Sequence, residues 1–414
     1  MVIEKVISEL WKQQYLDYKE ERERVDGMTE EELVMLCRQD IIELNEKPYC
    51  TNMHTLSIME TIGCQHQIKA DKIAGCSFCN WDSSRMKEIA HLAKLREKNV
   101  KLYADTIKFS FQRIRGENCT ATLIEQMSVH DILNEKQYPQ EAFHIMFKES
   151  GVYRNTPQIG IISARADSVT AEKVKMWRTV FKRSLTIGIG VECGNEFLRN
   201  HWLNKKITNE NLKNATDIIH KEGGKVCANI LLGLPGLSED IALPLFLDTC
   251  QYVLNELQVD YVLISPLINK ENTLGCLLNK QVSTISTQLL INAIRGLEKH
   301  FLSQLSKITF SPDNLESMKR MKTGKELSEL EKMYKSIENM GTVYTTASDF
   351  YDPLLEFSYV KKRKMGQAAM LVQQLEEGMD QACKSLGLGD GVRKEFENEL
   401  CNARLEELRW KHWN

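Results

Sequence analysis

Residues 185–192 read LTIGIGVE, with Leu185, Ile187, Ile189 and Val191 alternating with Thr186, Gly188, Gly190 and Glu192. A period of two puts one set on each face of a strand. Further short apolar runs predict strands at 55–62, 107–112, 159–165, 225–232 and 260–265. Stretches with helical spacing follow near 82–98, 121–135, 170–181, 208–222, 239–257 and 283–300. Strands that alternate with helices predict an α/β fold around a parallel sheet, open or closed into a barrel. Segment 141–150, ending FHIMFKES, is an extra piece that reads as a seventh strand or a loop insertion.

The pattern changes at both ends. Residues 1–47 are charged and helical, with seven Lys/Arg against thirteen Asp/Glu. Thr29-Glu30-Glu31-Glu32 has the form of a capping box opening a second helix through Ile42, and Pro48 ends the region. After residue 300, KITFSP and TVYTTASDF suggest short strands, and about 352–413 is helical and charged, ending LRWKHWN. These shifts divide the chain into an N-terminal helical region (1–50), a central α/β part (51–300) and a mainly helical α+β extension (301–414).

Composition narrows the class. The chain is 42% apolar over 414 residues, yet holds no run of eighteen apolar residues, so no membrane span is expected. MVIEKVISELWKQQ lacks the apolar core of a signal peptide, which points to the cytoplasm. There, twelve cysteines are expected to be free thiols or metal ligands. A net charge of −3 gives no electrostatic footprint for nucleic acid.

The candidate chemistry lies just after the first central strand, TLSIMETI. Cys64, Cys76 and Cys79 follow, the last two as a C-x-x-C pair around Ser77 and Phe78. Three thiolates can hold an iron–sulfur cluster or a zinc ion with one coordination position left over. Gly63 and Gly75 each precede a cysteine and let the backbone wrap closely. Zinc, with His66 or another cysteine as fourth ligand, is the competing reading; a redox C-x-x-C pair leaves Cys64 unexplained. Other residues collect at the C-terminal ends of later strands, where barrels place their sites. They are Glu192, then Ser163 and Arg165 on one face, then Asn229 and Gly233 before the turn Gly233-Leu234-Pro235-Gly236. Taken singly, Glu192 and Arg165 also read as a rim salt bridge, and the turn as a plain strand-to-helix connection.

Three blocks carry a family resemblance: GCQHQIKADKIAGCSFCN, IGIISARADSVTAE, and the long stretch from Gly188 to Glu239 that begins GIGVECGNEF and ends ILLGLPGLSE. Over roughly 55–270 the chain resembles radical S-adenosylmethionine (SAM) enzymes of the elongator-like branch. Its wide cysteine spacing departs from the commoner C-x3-C-x2-C pattern. That spacing is similar to a small uncharacterised bacterial group, and the third block to the radical SAM subunit of archaeosine synthase. The resemblance implies a partial (β/α)6 TIM-like barrel with N-terminal helices and a mostly helical C-terminal extension. It implies a 4Fe–4S cluster on Cys64, Cys76 and Cys79, with SAM as the ligand of the remaining iron. Phe78 would lie near the adenine, and Glu192 would accept hydrogen bonds from SAM. Arg165 or Arg199 would pair with the methionine carboxylate. Asn229 and the backbone of Leu232 and Gly233 would line the nucleoside. Ser110 and Gln112, in KFSFQ, would meet the methionine end, although that segment lacks the Gly-Gly-Glu of many relatives. Cys193, beside Glu192, reads mainly as a packing residue. The implied substrate is a small molecule or peptide in a biosynthetic pathway, with flavodoxin or ferredoxin as electron donor. A tRNA substrate is the alternative, disfavoured by the acidic charge, and a non-catalytic zinc protein is the third reading.

Overall fold

The structure is a computed structural model. It describes residues 1–44, 49–50, 54–58, 60–115, 124–128, 130–149, 159–181, 183–331 and 364–403. One sheet of eight strands runs through it in sequence order: β1 (Tyr49–Cys50), β2 (His54–Ile58), β3 (Ile124–Ser128), β4 (Ile159–Ala164), β5 (Ser184–Glu192), β6 (Lys225–Leu232), β7 (Tyr261–Pro266) and, past a separate β8 (Ile268–Asn269) and β9 (Ser283–Thr284) pair, β10 (Ile308–Phe310). β1 joins β2 antiparallel, and all other pairings in the sheet are parallel. β2 to β7 form a curled six-strand half-barrel, and β10 extends it as a short edge strand. The α/β partial barrel expected from the alternation is therefore present, and KITFSP does supply a strand.

The faces of the strands differ. Ile162, Ile187, Ile189, Val226, Ala228 and Ile264 are fully buried in one core with the surrounding helices. On β4, β6 and β7 the alternate residues, including Ser163, Cys227, Asn229 and Ser265, are only half-buried. That face is apolar at Ile159, Ile161 and Leu263 and carries its polar residues, Ser163, Asn229 and Ser265, toward the C-terminal ends of the strands, where barrels place their sites.

Three expectations need correction. Residues 107–112 are not a strand but lie in the helix Val100–Arg115. Tyr103, Ile107 and Phe111 recur every fourth residue, and all are fully buried. That stripe is helical, and the brief alternation in KFSFQ is incidental to it. The expected helix at 121–135 instead contains strand β3, in which Glu125 and Met127 are both buried and the period is two. Segment 141–150 is neither strand nor loop: Gln140–His144 is helical and widens into a π turn over Ile145–Glu149. Phe143 and Phe147, one turn apart, both meet Trp177, at 5.3 and 5.5 Å between ring centres. Such aromatic pairs add roughly 0.5–1.5 kcal/mol each beyond area burial. TVYTTASDF and LRWKHWN lie outside the described residues.

The helices Val2–Leu10, Lys12–Arg24 and Glu30–Leu44 precede the sheet. The capping box is formed: Thr29 N donates to Glu32 Oε2 at 2.8 Å and Glu32 N to Thr29 Oγ1 at 3.2 Å. Helices Lys364–Leu386 and Asp390–Asn402 close the described chain. A second apolar core joins the two ends, with Ile3, Ile7, Leu371, Leu375 and Phe396 packed around Ile73 and Trp202. No helix of the described residues is long and apolar enough to cross a membrane.

Candidate functional site

The chain leaves β2 and turns at once. Gly63 has φ +73°, and a Cβ there would stand 2.7 Å from Ile68 Cδ1. The Cys64 carbonyl accepts from Gln67 N and Ile68 N at 2.9 and 2.8 Å. The long gap to Cys76 is taken up by a small excursion in which Ile68 bridges Ile73 antiparallel and Ala74 N returns to Gln67 O at 2.8 Å. Gly75 closes it against Gln67, where a Cβ would be 2.7 Å from that side chain. The wide spacing is thus a folded insertion that brings Cys76 back toward Cys64.

The excursion is pinned from three sides. Lys69 and Lys72 pair with Glu4 of the first helix, the second at 3.2 Å, and Lys206 pairs with the same carboxylate. Burial alone would raise the Glu4 pKa, but the three ammoniums outweigh it and hold it at about 2. Asn204, 130 and 129 residues away in sequence, donates from Nδ2 to the carbonyls of Ala74 (3.2 Å) and Gly75 (2.7 Å). Ser77 N donates to Leu203 O at 3.0 Å, and Leu274 N to Ser77 O at 2.7 Å. Asp82, almost fully buried, takes Cys64 N on Oδ2 at 2.9 Å and stands 2.8 Å from His130 Nε2 through Oδ1.

All three thiols are half-buried, and burial is the largest influence on each. It pushes Cys79 up to about 12 and raises Cys64 and Cys76 as well. Cys64 also lies within the fields of Cys76 and Cys79. Arg165 and Lys205 oppose the rise at Cys76, and Arg165 does so at Cys64. Without a metal these are thiols; two cations stand ready to offset the charge of thiolates.

Glu192 ends β5 at a bulge. Gly190 pairs with Asn229, and Glu192 pairs with Ile230, the next residue of β6. The carboxylate residue sits at φ 64°, strained for a side chain of this size. Its Oε1 accepts from Lys205 Nζ at 2.7 Å. Gly190 makes the room, because a Cβ there would lie 2.3 Å from Lys205 Nζ. Burial lowers the Lys205 pKa, but Glu192 and then Cys76 raise it further, so the ammonium is firmly charged. Arg165 turns Nε and Nη2 to Asp167 at 3.1 and 3.2 Å, and Nη2 also to Lys205 O at 3.0 Å. The rim salt bridge open from sequence is therefore two pairs, Glu192 with Lys205 and Arg165 with Asp167. Along the inner face, the Cβ position of Gly188 is 3.6 Å from Asn229 Nδ2 and 4.0 Å from Ser163 Oγ, so these three share one surface.

Other expected residues fall elsewhere. Arg199 is fully buried, and Nε, Nη1 and Nη2 donate to Cys193 O, Ile207 O, Gly194 O and Asn209 Oδ1 at 2.9–3.1 Å. Its fork is consumed by the backbone, so it is not presented to a ligand. Ser110 is buried in its helix and accepts Glu60 N at 3.1 Å, holding the start of the cysteine loop from behind. Gln112, two positions along the same helix, is exposed. Leu232 is fully buried and its carbonyl takes Leu267 N at 2.9 Å; Gly233 follows at φ +96°. Phe78 is half-buried against the second core. His66 gives Nε2 to the Asn204 carbonyl at 2.6 Å, and burial, with Arg165 next in effect, drops its pKa to about 3. Cys193 is buried and its thiol pushed up to about 11, in keeping with packing.

Sequence reasoning missed Lys205, Asn204, Asp82 and Glu4. The Asn-Lys pair after the glycine strand was the available signal for the first two.

No family model matches the chain. Over 163 residues it is 26% identical to an uncharacterized protein of Methanocaldococcus jannaschii, covering 39% of this chain and 41% of that protein. In three dimensions it is similar to HemN, the coproporphyrinogen III oxidase of Escherichia coli and a radical SAM enzyme, at 14% identity and a TM-score of 0.40, over 64% of this chain and 55% of that one. It is also similar to the archaeal Elp3 of Methanocaldococcus infernus, at 16% identity and a TM-score of 0.33, over 51% of each chain. The chain therefore spans no more than 55% of the length of any of these three.

Proposed function

We propose that this chain is a radical SAM enzyme in which Cys64, Cys76 and Cys79 hold a 4Fe–4S cluster and the open inner face beside them binds SAM. The observation that carries the reading is the folded excursion between Cys64 and Cys76, with Cys64 in the field of Cys76 and Cys79 and with two half-buried cations, Arg165 and Lys205, and a bulged carboxylate nearby. Three thiolates leave one coordination position over, which suits a cluster with one open iron better than a closed structural zinc site with four protein ligands.

Held there by Cys64, Cys76 and Cys79, the cluster would supply the one electron for reductive cleavage of SAM to methionine and a 5′-deoxyadenosyl radical able to take a hydrogen atom from the substrate. The residues of this chain bind and orient. Arg165 has Nη1 without a hydrogen-bond partner among the described residues, a donor suited to the methionine carboxylate. Glu192 has one oxygen on Lys205 and the other for an amino or hydroxyl group. Gly188 and Gly190 clear the floor, and Ser163 and Asn229 offer polar contacts to a ribose or base. The buried outer faces of the strands keep water from the back of the site. The substrate is a small molecule or peptide, and a low-potential carrier such as flavodoxin or ferredoxin delivers the electron.

Anaerobically reconstituted protein is expected to hold about four irons and to release 5′-deoxyadenosine from SAM with reductant. Replacing all three cysteines by alanine abolishes both. Stoichiometric zinc with no SAM cleavage in the wild type refutes the proposal.

A further inference from the structure

A cavity of about 890 Å³ lies against the cysteine loop. Its walls come from the second N-terminal helix, from the helix Met86–Lys98, from the turn around Lys136, and from Gln65, Ile68, Lys69 and Ala70 of the loop itself. None of Ser163, Arg165, Glu192, Lys205 or Asn229 lines it. Its size is that of a small-molecule site.

The charges on its walls do not cancel. Of its carboxylates, Glu23 is 3.8 Å from Lys19, Asp26 pairs with Lys94, and Glu97 pairs with Arg22. Lys69 is taken by Glu4. Arg96 and Lys136 are left over, with no ion pair among the described residues. They are neighbours, because Arg96 Nη2 donates to the carbonyl of Glu135 at 3.3 Å. Arg96 Nε is buried and has no hydrogen-bond partner among the described residues. A buried guanidinium donor left unmade costs roughly 1–3 kcal/mol, and an anion would recover it. An apolar and aromatic stretch of the wall is made by Ile62, Ile68, Ala93 and the Tyr18 ring, over which Arg22 lies at 5.7 Å.

We infer that this cavity binds a small ligand with an anionic head, held by Arg96 and Lys136, and an apolar or aromatic body laid against Ile62, Ile68 and Tyr18. It is a second site, separate from the one that would take SAM. Because Gln65 to Ala70 form part of its wall, its occupant bears directly on the segment between Cys64 and Cys76. The inference stands on the cavity alone and does not require the radical SAM reading.

The test uses anaerobically purified full-length protein and 1-naphthyl phosphate as probe, with inorganic phosphate and 1-naphthol as its two halves. The expected result is one equivalent of naphthyl phosphate bound with a Kd below about 1 mM at moderate salt. Each half should bind about tenfold or more weaker. Saturating SAM should not displace the probe. Lys136→Gln should weaken binding several-fold, and Arg96→Gln with Lys136→Gln at least tenfold, at unchanged melting temperature for the exposed single variant. No binding at 10-fold higher probe (about 10 mM), equal affinity in Lys136→Gln and wild type, or displacement by SAM would each overturn the inference. Binding of inorganic phosphate as tight as the probe would also do so, since it removes the role of the apolar wall.

Discussion

Replacing Arg199 distinguishes a residue that holds the fold from one that holds a ligand. Its guanidinium serves four acceptors: the carbonyls of Cys193, Gly194 and Ile207 and the side-chain oxygen of Asn209; the Ile207 carbonyl also takes Asn200 Nδ2. Arg199→Met keeps the aliphatic stem and removes every donor. The acceptors of Cys193, Gly194 and Asn209 lose this donor at about 1–3 kcal/mol each, about 3–9 kcal/mol together before relaxation. That rivals the whole margin of a domain, about 5–15 kcal/mol. The Met variant is expected to be insoluble or to unfold near growth temperature. Arg199→Lys retains a charge and three donors but not the fork, and should lose about 2–4 kcal/mol. Circular-dichroism melting of the anaerobic protein, with SAM binding by equilibrium dialysis, reads both effects. Arg199→Lys should melt several degrees lower while binding SAM normally in the folded fraction. Arg165→Lys, in parallel, should melt close to wild type and weaken SAM binding about tenfold or more. If Arg199→Lys melts like wild type and loses SAM affinity, the buried-staple account of this residue is wrong.

Two further predictions concern charge. Glu4 is held at about 2, below its usual value of 4.5, so its contribution to stability is complete above pH 4.5 and is lost as pH falls toward 2. Glu4→Gln should therefore cost about 1–3 kcal/mol at pH 7, with the gap to wild type in denaturant midpoint closing across that acid window; a gap independent of pH would contradict it. His91, fully buried, has Nδ1 2.7 Å from Asp40 and Nε2 2.6 Å from Glu21. Arg24 approaches the same Nε2 at 3.2 Å but gives its shorter bond, 2.6 Å, to Glu21, so the ring is the cation between the carboxylates. Burial lowers its pKa, yet the two carboxylates more than compensate and raise it. Its stabilisation is thus present below about pH 6.5 and fades as pH rises through the higher folded value. The melting temperature of His91→Gln should converge on wild type with rising pH; divergence with rising pH would reverse the assigned sign.

Much of the site was legible because its residues lie in short, self-contained patterns. The glycine-rich alternation of β5 shows its polar face directly, and the three cysteines announce themselves by type. The helix Val100–Arg115 was not legible because KFSFQ alternates over a few residues while its true stripe, Tyr103 to Phe111, spans two turns. The resemblance offered Arg199 to the methionine carboxylate, and nothing in LRNHW says that a π turn, Leu198–Trp202, will face its fork to carbonyls. Lys205 escaped for a related reason. Its pairing with Glu192, 13 residues back, depends on left-handed backbone at Glu192 (φ 64°), Asn204 (φ 54°) and Lys206 (φ 55°), and none of these is glycine.

The meeting of the two chain ends has a consequence for how the molecule is assembled. Val2 N donates to Glu399 Oε1 across 397 residues, Lys5 reaches Glu395, and Glu399 also holds His201 at 2.8 Å. Closing a loop of that length costs more than a local contact, though only logarithmically more. The first helix therefore cannot reach its final seat until nearly the whole described chain has been synthesised. Glu4 on the same helix clasps Lys69, Lys72 and Lys206, so the seat of that helix bears on the segment between Cys64 and Cys76. Loosening the contacts of Val2 and Lys5 with Glu399 and Glu395 would therefore slacken, at a distance, the loop that carries the three thiols.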